Sequence, residues 1–370
     1  MSRGAPGVPL VILPSDGAVR ARPHLGDAAW DALDAALAAL VGLRRALRFA
    51  TLPLAQLPAF GGAVDALRAF VDELPPPELV SQAIGMPASP VHAYFGVCVA
   101  PLTPDECAAQ VATIAFRALV DLRYAPIDLN DAAAEIEAMT AMLAAFHDYR
   151  TSSNGARGGI GGTDRSSYVP RGDGLERWIA VHHLYFVLNL FAASAVADAA
   201  DAVARDDDDR AAALLAEATT YVRGFSAAMV HSGAIASDYY GEVVRPTMQP
   251  PAVPVLLTGS MQTEHAAYRA ALGLFIGRLA QPFRTLVREH RELAVARGAL
   301  LDADLLDVER HICVAHALVR DDHSLVQHAQ APDNAVAALR RIRHARAARY
   351  CELVRYGDAL LADGVYEVAR

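Results

Sequence analysis

The sequence predicts an all-α protein: a helical bundle around one main core, with a small N-terminal helical part. Three observations predict it. Apolar residues recur at three- and four-residue spacings through most of the 370 residues, the period of a helix with one buried face. Alanine is abundant, with leucine and arginine frequent. Alternating runs are few. The spacing places helices over 28–49, 61–73, 104–124, 131–149, 175–204, 209–231, 261–297, 303–329 and 334–362. Thr103-Pro104 and Asp333-Asn334 supply a cap or a first-turn proline where two of them begin. Only 10–13 and 93–99 read as strands, and both are short.

Three stretches interrupt the pattern. Residues 74–90 are proline-rich and divide an N-terminal part, 1–90, from a core over 91–370. Residues 151–174 are rich in Gly, Ser and Arg and include the run 158–164. Residues 246–260 hold four prolines and end in Leu257-Thr258-Gly259-Ser260. Loops beyond about 12–15 residues are commonly functional, so the last two are expected to cover a site.

Composition excludes several classes. The chain is 54% apolar and 20% charged, too apolar for a disordered tail. Its net charge is −9 with no basic stripe, against a nucleic-acid partner. All 33 basic residues are arginine. Without lysine there is no pyridoxal Schiff base and no P-loop. Cys98, Cys107, Cys313 and Cys351 include no C-x-x-C pair and suit a reducing compartment. The apolar run 8–13 is too short for a signal core, and no span of about 18 apolar residues stands out. The expectation is a cytoplasmic protein with no membrane partner.

Several constellations could carry chemistry. Asp206 to Asp209 reads either as a magnesium–diphosphate site or as a solvated turn whose acids favour a helix start. No His-Glu-x-x-His occurs, and Glu264-His265 and Glu289-His290 are adjacent pairs without di-iron spacing. In 309–330, His316 and His323 lie seven apart on one face. His323 is there either a core residue satisfied by a carboxylate or an axial haem ligand. Arg245, after Tyr239-Tyr240 and before Pro246, either clamps a carboxylate or pairs with a nearby acid such as Glu242. The run 158–164 fits a lid better than a nucleotide loop. The arginines of the last helix, Arg340, Arg341, Arg343, Arg346 and Arg349, suit solvent or an interface better than haem propionates.

Four segments in order resemble the haem-binding core of the indoleamine/tryptophan 2,3-dioxygenase superfamily, nearest its PrnB-like (monodechloroaminopyrrolnitrin synthase) branch. His183 to Ser194 is similar to the helix lining the distal pocket. Tyr239 to Pro246 is similar to the segment whose arginine holds the amino-acid carboxylate. Leu257 to Gln262 is similar to the Gly-Ser-x-x-Gln loop over the haem. Leu318 to Gln327 resembles the helix of the proximal histidine. The resemblance covers about two-fifths of the chain. It implies a b-type haem with His323 as iron ligand, and His316 or His311 next in line. It implies Tyr185, His182 and His183 on the oxygen side, Arg245 on the carboxylate and Tyr240 beside the substrate ring. Gly259, Ser260 and Thr163 complete the substrate pocket. The family's glycine loop after the proximal histidine has no counterpart after His323. That departure points from tryptophan ring opening toward another oxidation of an aromatic amino acid or a derivative, in specialised metabolism. The implied partners are a small aromatic carboxylate and dioxygen or peroxide, with a homodimer as an option. The alternatives are a non-catalytic helical protein holding haem or an aromatic ligand, and a magnesium enzyme using Asp206 to Asp209.

Overall fold

A computed structural model describes residues 11–15, 18–20, 22–74, 88–147, 172–319 and 334–362. Strand β1 (Val11–Pro14) pairs in parallel with β2 (Val97–Ala100), Ile12 opposite Cys98. Gln110 holds the two in place by accepting the Ile12 N–H through its side chain. Both weak strand signals are therefore real, though the second begins later than expected. Its first half is instead a short helix, α3 (Pro90–Phe95), capped by Ser89 and ended by Gly96 at φ +65°, where a side chain would be strained.

Helices α1 (Asp27–Leu47) and α2 (Pro58–Glu73) form a hairpin, and their apolar faces join the same hydrophobic core as the later helices. Helix α4 (Pro104–Asp121) starts with a reciprocal Thr103–Glu106 capping box. Helix α5 (Leu129–His147) follows. Helix α6 (Gly174–Val203) is the spine. Asp173 caps it, and it packs most extensively on α7 (Asp208–Ser232) and α10 (Thr263–Arg278). By length and composition α6 could cross a membrane, which the sequence reading overlooked; most of it is buried inside the protein, as in the core helix of a bundle. The aspartate run is a turn and a cap: Asp206 is left-handed at φ 57°, Asp207 caps α7, and Asp208 pairs with His290.

After α7 the chain passes through one turn, α8 (Ser237–Tyr239), a π-helical segment Tyr240–Val244, and α9 (Arg245–Thr247). The expected helix over 261–297 is three pieces. Pro282 cannot continue α10, so α11 (Phe283–Glu289) starts afresh, and α12 (Arg291–Val319) begins after His290. Helix α12 also runs unbroken through Gly298, where a break was expected. Helices α13 (Ala335–Tyr350) and α14 (Gly357–Ala362) close the bundle against α12.

Candidate active site

One face of α6 carries Trp178, His182, Tyr185 and Asn189 at spacings of four, three and four. Their rings run on from one another. Trp178 lies 4.4 Å from His182, His182 lies 6.2 Å from Tyr185, and Tyr185 lies 6.3 Å from His265 of α10. At the other end Tyr240 of the π segment meets Trp178 edge-on at 5.6 Å. The π turn adds a residue to the helix, a device common at functional sites; it sets Tyr240 inward while Arg245 remains half-buried beside it.

The hydrogen bonds around His265 fix its tautomer. The Asn189 amide reaches the Tyr185 carbonyl at 2.8 Å, and a carbonyl only accepts, so that end of the amide is the NH2. Its oxygen then faces His265 Nδ1 at 3.1 Å and must accept from it. Burial, with Arg346 and Arg269 nearby, lowers the His265 pKa to about 3, so the ring is neutral. Nδ1 carries the only hydrogen, and Nε2 is a bare lone pair with no partner among the described residues. A histidine oriented through its other nitrogen is the usual arrangement of a metal ligand. The Tyr185 hydroxyl, 3.3 Å from the same Nδ1, can only accept there, and burial keeps it protonated far above neutrality.

His182 has the same tautomer. Its Nδ1 donates to the Trp178 carbonyl, its ring stacks on Phe95 at 4.5 Å, and burial lowers its pKa to about 4. His311 of α12 is exposed, yet its surroundings strip it of water and hold its pKa at about 4. His311 acts electrostatically on both His182 and His265, so the three imidazoles lie in one region, between α6, α10 and α12.

Beside that region lies a charged cluster. Asp304 is fully buried and accepts from Tyr268 at 3.1 Å, Tyr350 at 2.8 Å and Arg269 at 2.5 and 2.6 Å. These partners lower its pKa although burial alone would raise it. Asp307 is buried with one oxygen unpartnered, and burial together with the Asp304 charge raises its pKa to about 7. On the other flank Glu264 bonds His92 at 2.8 Å, which ties the first turn of α10 to α3.

A second polar network lies deeper. His231 bridges Glu135 at 3.0 Å and Asp121 at 3.0 Å, and Arg177 donates to Asp121 at 2.6 Å and to the Ala234 carbonyl at 2.8 Å. It ties α4, α5, α6 and α7 to the segment that leads into the π turn.

The structure brings Tyr185, His182, Tyr240 and Arg245 to one end of α6. His183 it places in the core, with Nε2 on the Phe95 carbonyl at 2.6 Å and burial lowering its pKa to about 3. Gly259 is exposed at the start of a short 3-10 turn, Gly259–Met261, which Ser260 shares. Thr163 and His323 lie outside the described residues. Sequence reasoning passed over Asn189 and Asp304, weighed His265 only as part of a pair without di-iron spacing, and assigned Arg346 to solvent or an interface rather than to haem propionates. A signal existed for Asn189: an amide in the middle of an apolar helix needs a polar partner. Among the described residues no three or more His, Cys, Asp or Glu side chains are grouped as a metal cluster, the aspartate run included.

Three comparisons bear on the site. Residues 28–294, more than half of the chain, match the family described as SfmD 3-methyl-L-tyrosine peroxygenase. A 3-methyl-L-tyrosine peroxygenase of Streptomyces lavendulae is 36% identical over 93 residues, 25% of this chain and 26% of the relative, so the matched stretch spans about a quarter of that protein. A crystal structure of reduced SfmD, soaked with sodium hydrosulfite, aligns with a TM-score of 0.48 at 22% identity, covering 82% of this chain and 97% of that one.

Proposed function

This chain belongs to the SfmD 3-methyl-L-tyrosine peroxygenase family, a family of haem-dependent oxygenases, and from that premise we propose that it holds a b-type haem between α6, α10 and α12 and oxidises the ring of a tyrosine-like amino acid. The observation that carries this reading is His265, a neutral imidazole whose Nδ1–H is taken by Asn189 and whose Nε2 lone pair is left open. His265 is the ligand of choice among the described residues, and His311, its electrostatic neighbour, stands next. The motifs drew the chain toward the PrnB-like branch and toward a tryptophan- or tyrosine-like amino acid or its derivative, with dioxygen or peroxide; the matched family favours the tyrosine-like substrate and peroxide.

When bound, the haem iron supplies the two-electron oxidation, whose net balance is ArH + H2O2 → ArOH + H2O. The chain's own residues orient and exclude water. Trp178 and Tyr240 form the apolar end of the site, and Arg245 beside Tyr240 takes the amino-acid carboxylate. His182 is neutral with Nε2 free among the described residues, so it can accept a proton from the oxidant or from a substrate phenol. With iron on His265, Tyr185 acts as a positioning residue through Nδ1 rather than on oxygen. The cytoplasmic reading, free of membrane and with a homodimer as an option, is kept as part of this proposal.

An absorption spectrum tests it. Protein expressed with a haem precursor should show a Soret band that shifts with dithionite and carbon monoxide. His265→Ala should lose that band, whereas His323→Ala and His311→Ala should keep it. A His265→Ala variant with the parent spectrum, beside a colourless His323→Ala, would move the iron to His323. Haem without peroxide-dependent oxidation of 3-methyl-L-tyrosine or L-tyrosine would favour the non-catalytic binding protein.

A further inference from the structure

Arg346 of α13 was expected to face solvent or an interface. Its side chain is instead only 14% exposed. It is the foremost charged neighbour of both His265 and His311 and acts on Tyr185 as well, and its contact with Asp304 sets it beside Tyr268 and Arg269 on the α10 turn that follows His265. Its hydrogen bonding is poor for a group so placed. One terminal nitrogen reaches the carbonyl and a carboxylate oxygen of Asp304, each at 3.3 Å. The Nε and the other terminal nitrogen have no partner among the described residues.

Asp304 cannot serve as its counter-ion in full. That carboxylate already accepts from Arg269, Tyr268 and Tyr350 at shorter range. Asp307 is the other acid nearby. Neither arginine forms an ion pair with it, and one of its oxygens has no partner. Burial and the Asp304 charge raise its pKa to about 7, so near neutrality it carries only part of a charge. Two guanidiniums therefore share one fully engaged carboxylate. A mostly covered cation that shares its counter-ion gains from a bound anion of its own. Nε and the free terminal nitrogen form the side-on fork of arginine, which matches the two oxygens of a carboxylate.

We propose that Arg346, backed by Arg269, is a carboxylate-binding site beside His265 and His311, its ligand being a porphyrin propionate or, in place of Arg245, the α-carboxylate of the amino acid. The proposal rests on the haem reading above. Arg269 is spent on Asp304 and holds that acid away from the fork, so Arg346 makes the contact.

Two pairs of probes, each differing only in a carboxylate, test it on the full chain. Haem-free protein is titrated with haemin and with haemin dimethyl ester. Haem-loaded protein is titrated with L-tyrosine and with tyramine, followed by the Soret shift. A charge-assisted hydrogen bond of this kind corresponds to a preference of roughly 10- to 100-fold for the acid. If the ligand is a propionate, the wild type prefers haemin to its ester by that factor, Arg346→Gln loses the preference, and Arg346→Lys keeps part of it. The tyrosine-to-tyramine ratio then stays unchanged. If the ligand is the amino acid, the two ratios exchange roles. A folded Arg346→Gln protein that keeps both wild-type ratios overturns the site. So does a wild type that shows neither preference, a result that needs no variant. A chain that takes up neither haemin nor its ester overturns the haem reading instead. In that case calorimetry with L-tyrosine and tyramine decides: equal binding by the wild type overturns the site, and a preference for the acid that Arg346→Gln loses sustains it.

Discussion

Asn189 accepts a 3.1 Å hydrogen bond from His265, and the direction of that bond is fixed on the far side of the amide, where Asn189 donates to the Tyr185 carbonyl. One amide thus decides which imidazole nitrogen is left bare.

Removing that amide should loosen the cofactor while the fold survives. Asn189→Leu keeps the branched side-chain shape and deletes the partner of Nδ1. Loss of such an outer partner costs metal sites about 10- to 100-fold in affinity. Haemin titration should show that loss with an unchanged far-UV circular dichroism spectrum. Asn189→Asp should keep affinity and lower the reduction potential, because a carboxylate makes the imidazole a stronger donor.

The His231 network predicts how stability depends on pH. Burial alone would lower the His231 pKa, but Glu135 and Asp121 outweigh it and raise the value to about 9. Its contribution is fully present below the ordinary histidine value of about 6.5 and fades as pH climbs through about 9. Asp121 acts in the opposite sense. Burial would raise it, yet His231 and Arg177 hold it below the usual carboxylate range, so its contribution disappears only in acid. Calorimetric melting between pH 2 and 10 should show an acid flank below about pH 4 and an alkaline flank around pH 9. Breaking a buried pair costs about 3–5 kcal/mol, so His231→Ala should lower Tm by many degrees and erase the alkaline flank.

Asp307 contributes a third pH effect of the reverse sign. Its folded pKa, about 7, lies above the value of the unfolded chain. The native state therefore holds its proton longer, and stability drops as pH rises from about 4 to about 7. Asp307→Asn should raise Tm at pH 8 and leave it unchanged at pH 4. An equal shift at both pH values would count against this origin.

Gly224 predicts a purely steric effect. A Cβ built there would lie 2.1 Å from the Ala138 Cβ, where α7 crosses α5. Gly224→Ala should destabilise by about 1–3 kcal/mol, read as a shifted denaturant midpoint with an unchanged slope. The double variant Gly224→Ala, Ala138→Gly should recover part of the loss.

The helices were legible because one apolar face per helix repeats on a fixed period. Where that period was trusted across a breaker it misled. Pro282 stood in view inside 261–297 and still ends α10, whereas Gly298 looked like a break and lies inside α12. The motif around Tyr240 and Arg245 was legible as a segment, but its π turn was not, because an extra residue per turn leaves no mark on apolar spacing. The buried polar residues were the least readable. Arg346 looks like any arginine on a basic helix until Asp304, 42 positions away, is set beside it. His265 looked like half of an unproductive Glu-His pair. Its partner Asn189 lies 76 residues earlier, and only the packing of α10 on α6 brings the two together.

Consecutive histidines on α6 grip one residue of α3. His182 stacks on the Phe95 ring, and His183 binds the Phe95 carbonyl. Neighbours on a helix point about 100° apart, so the two grips fix the azimuth of α6 like two pins through one hub. Turning the spine by even a fraction of a residue would break both at once. His182 therefore keeps its bearing whether or not anything fills the space beside it, and the alignment of that imidazole is settled when the chain folds, before any guest arrives.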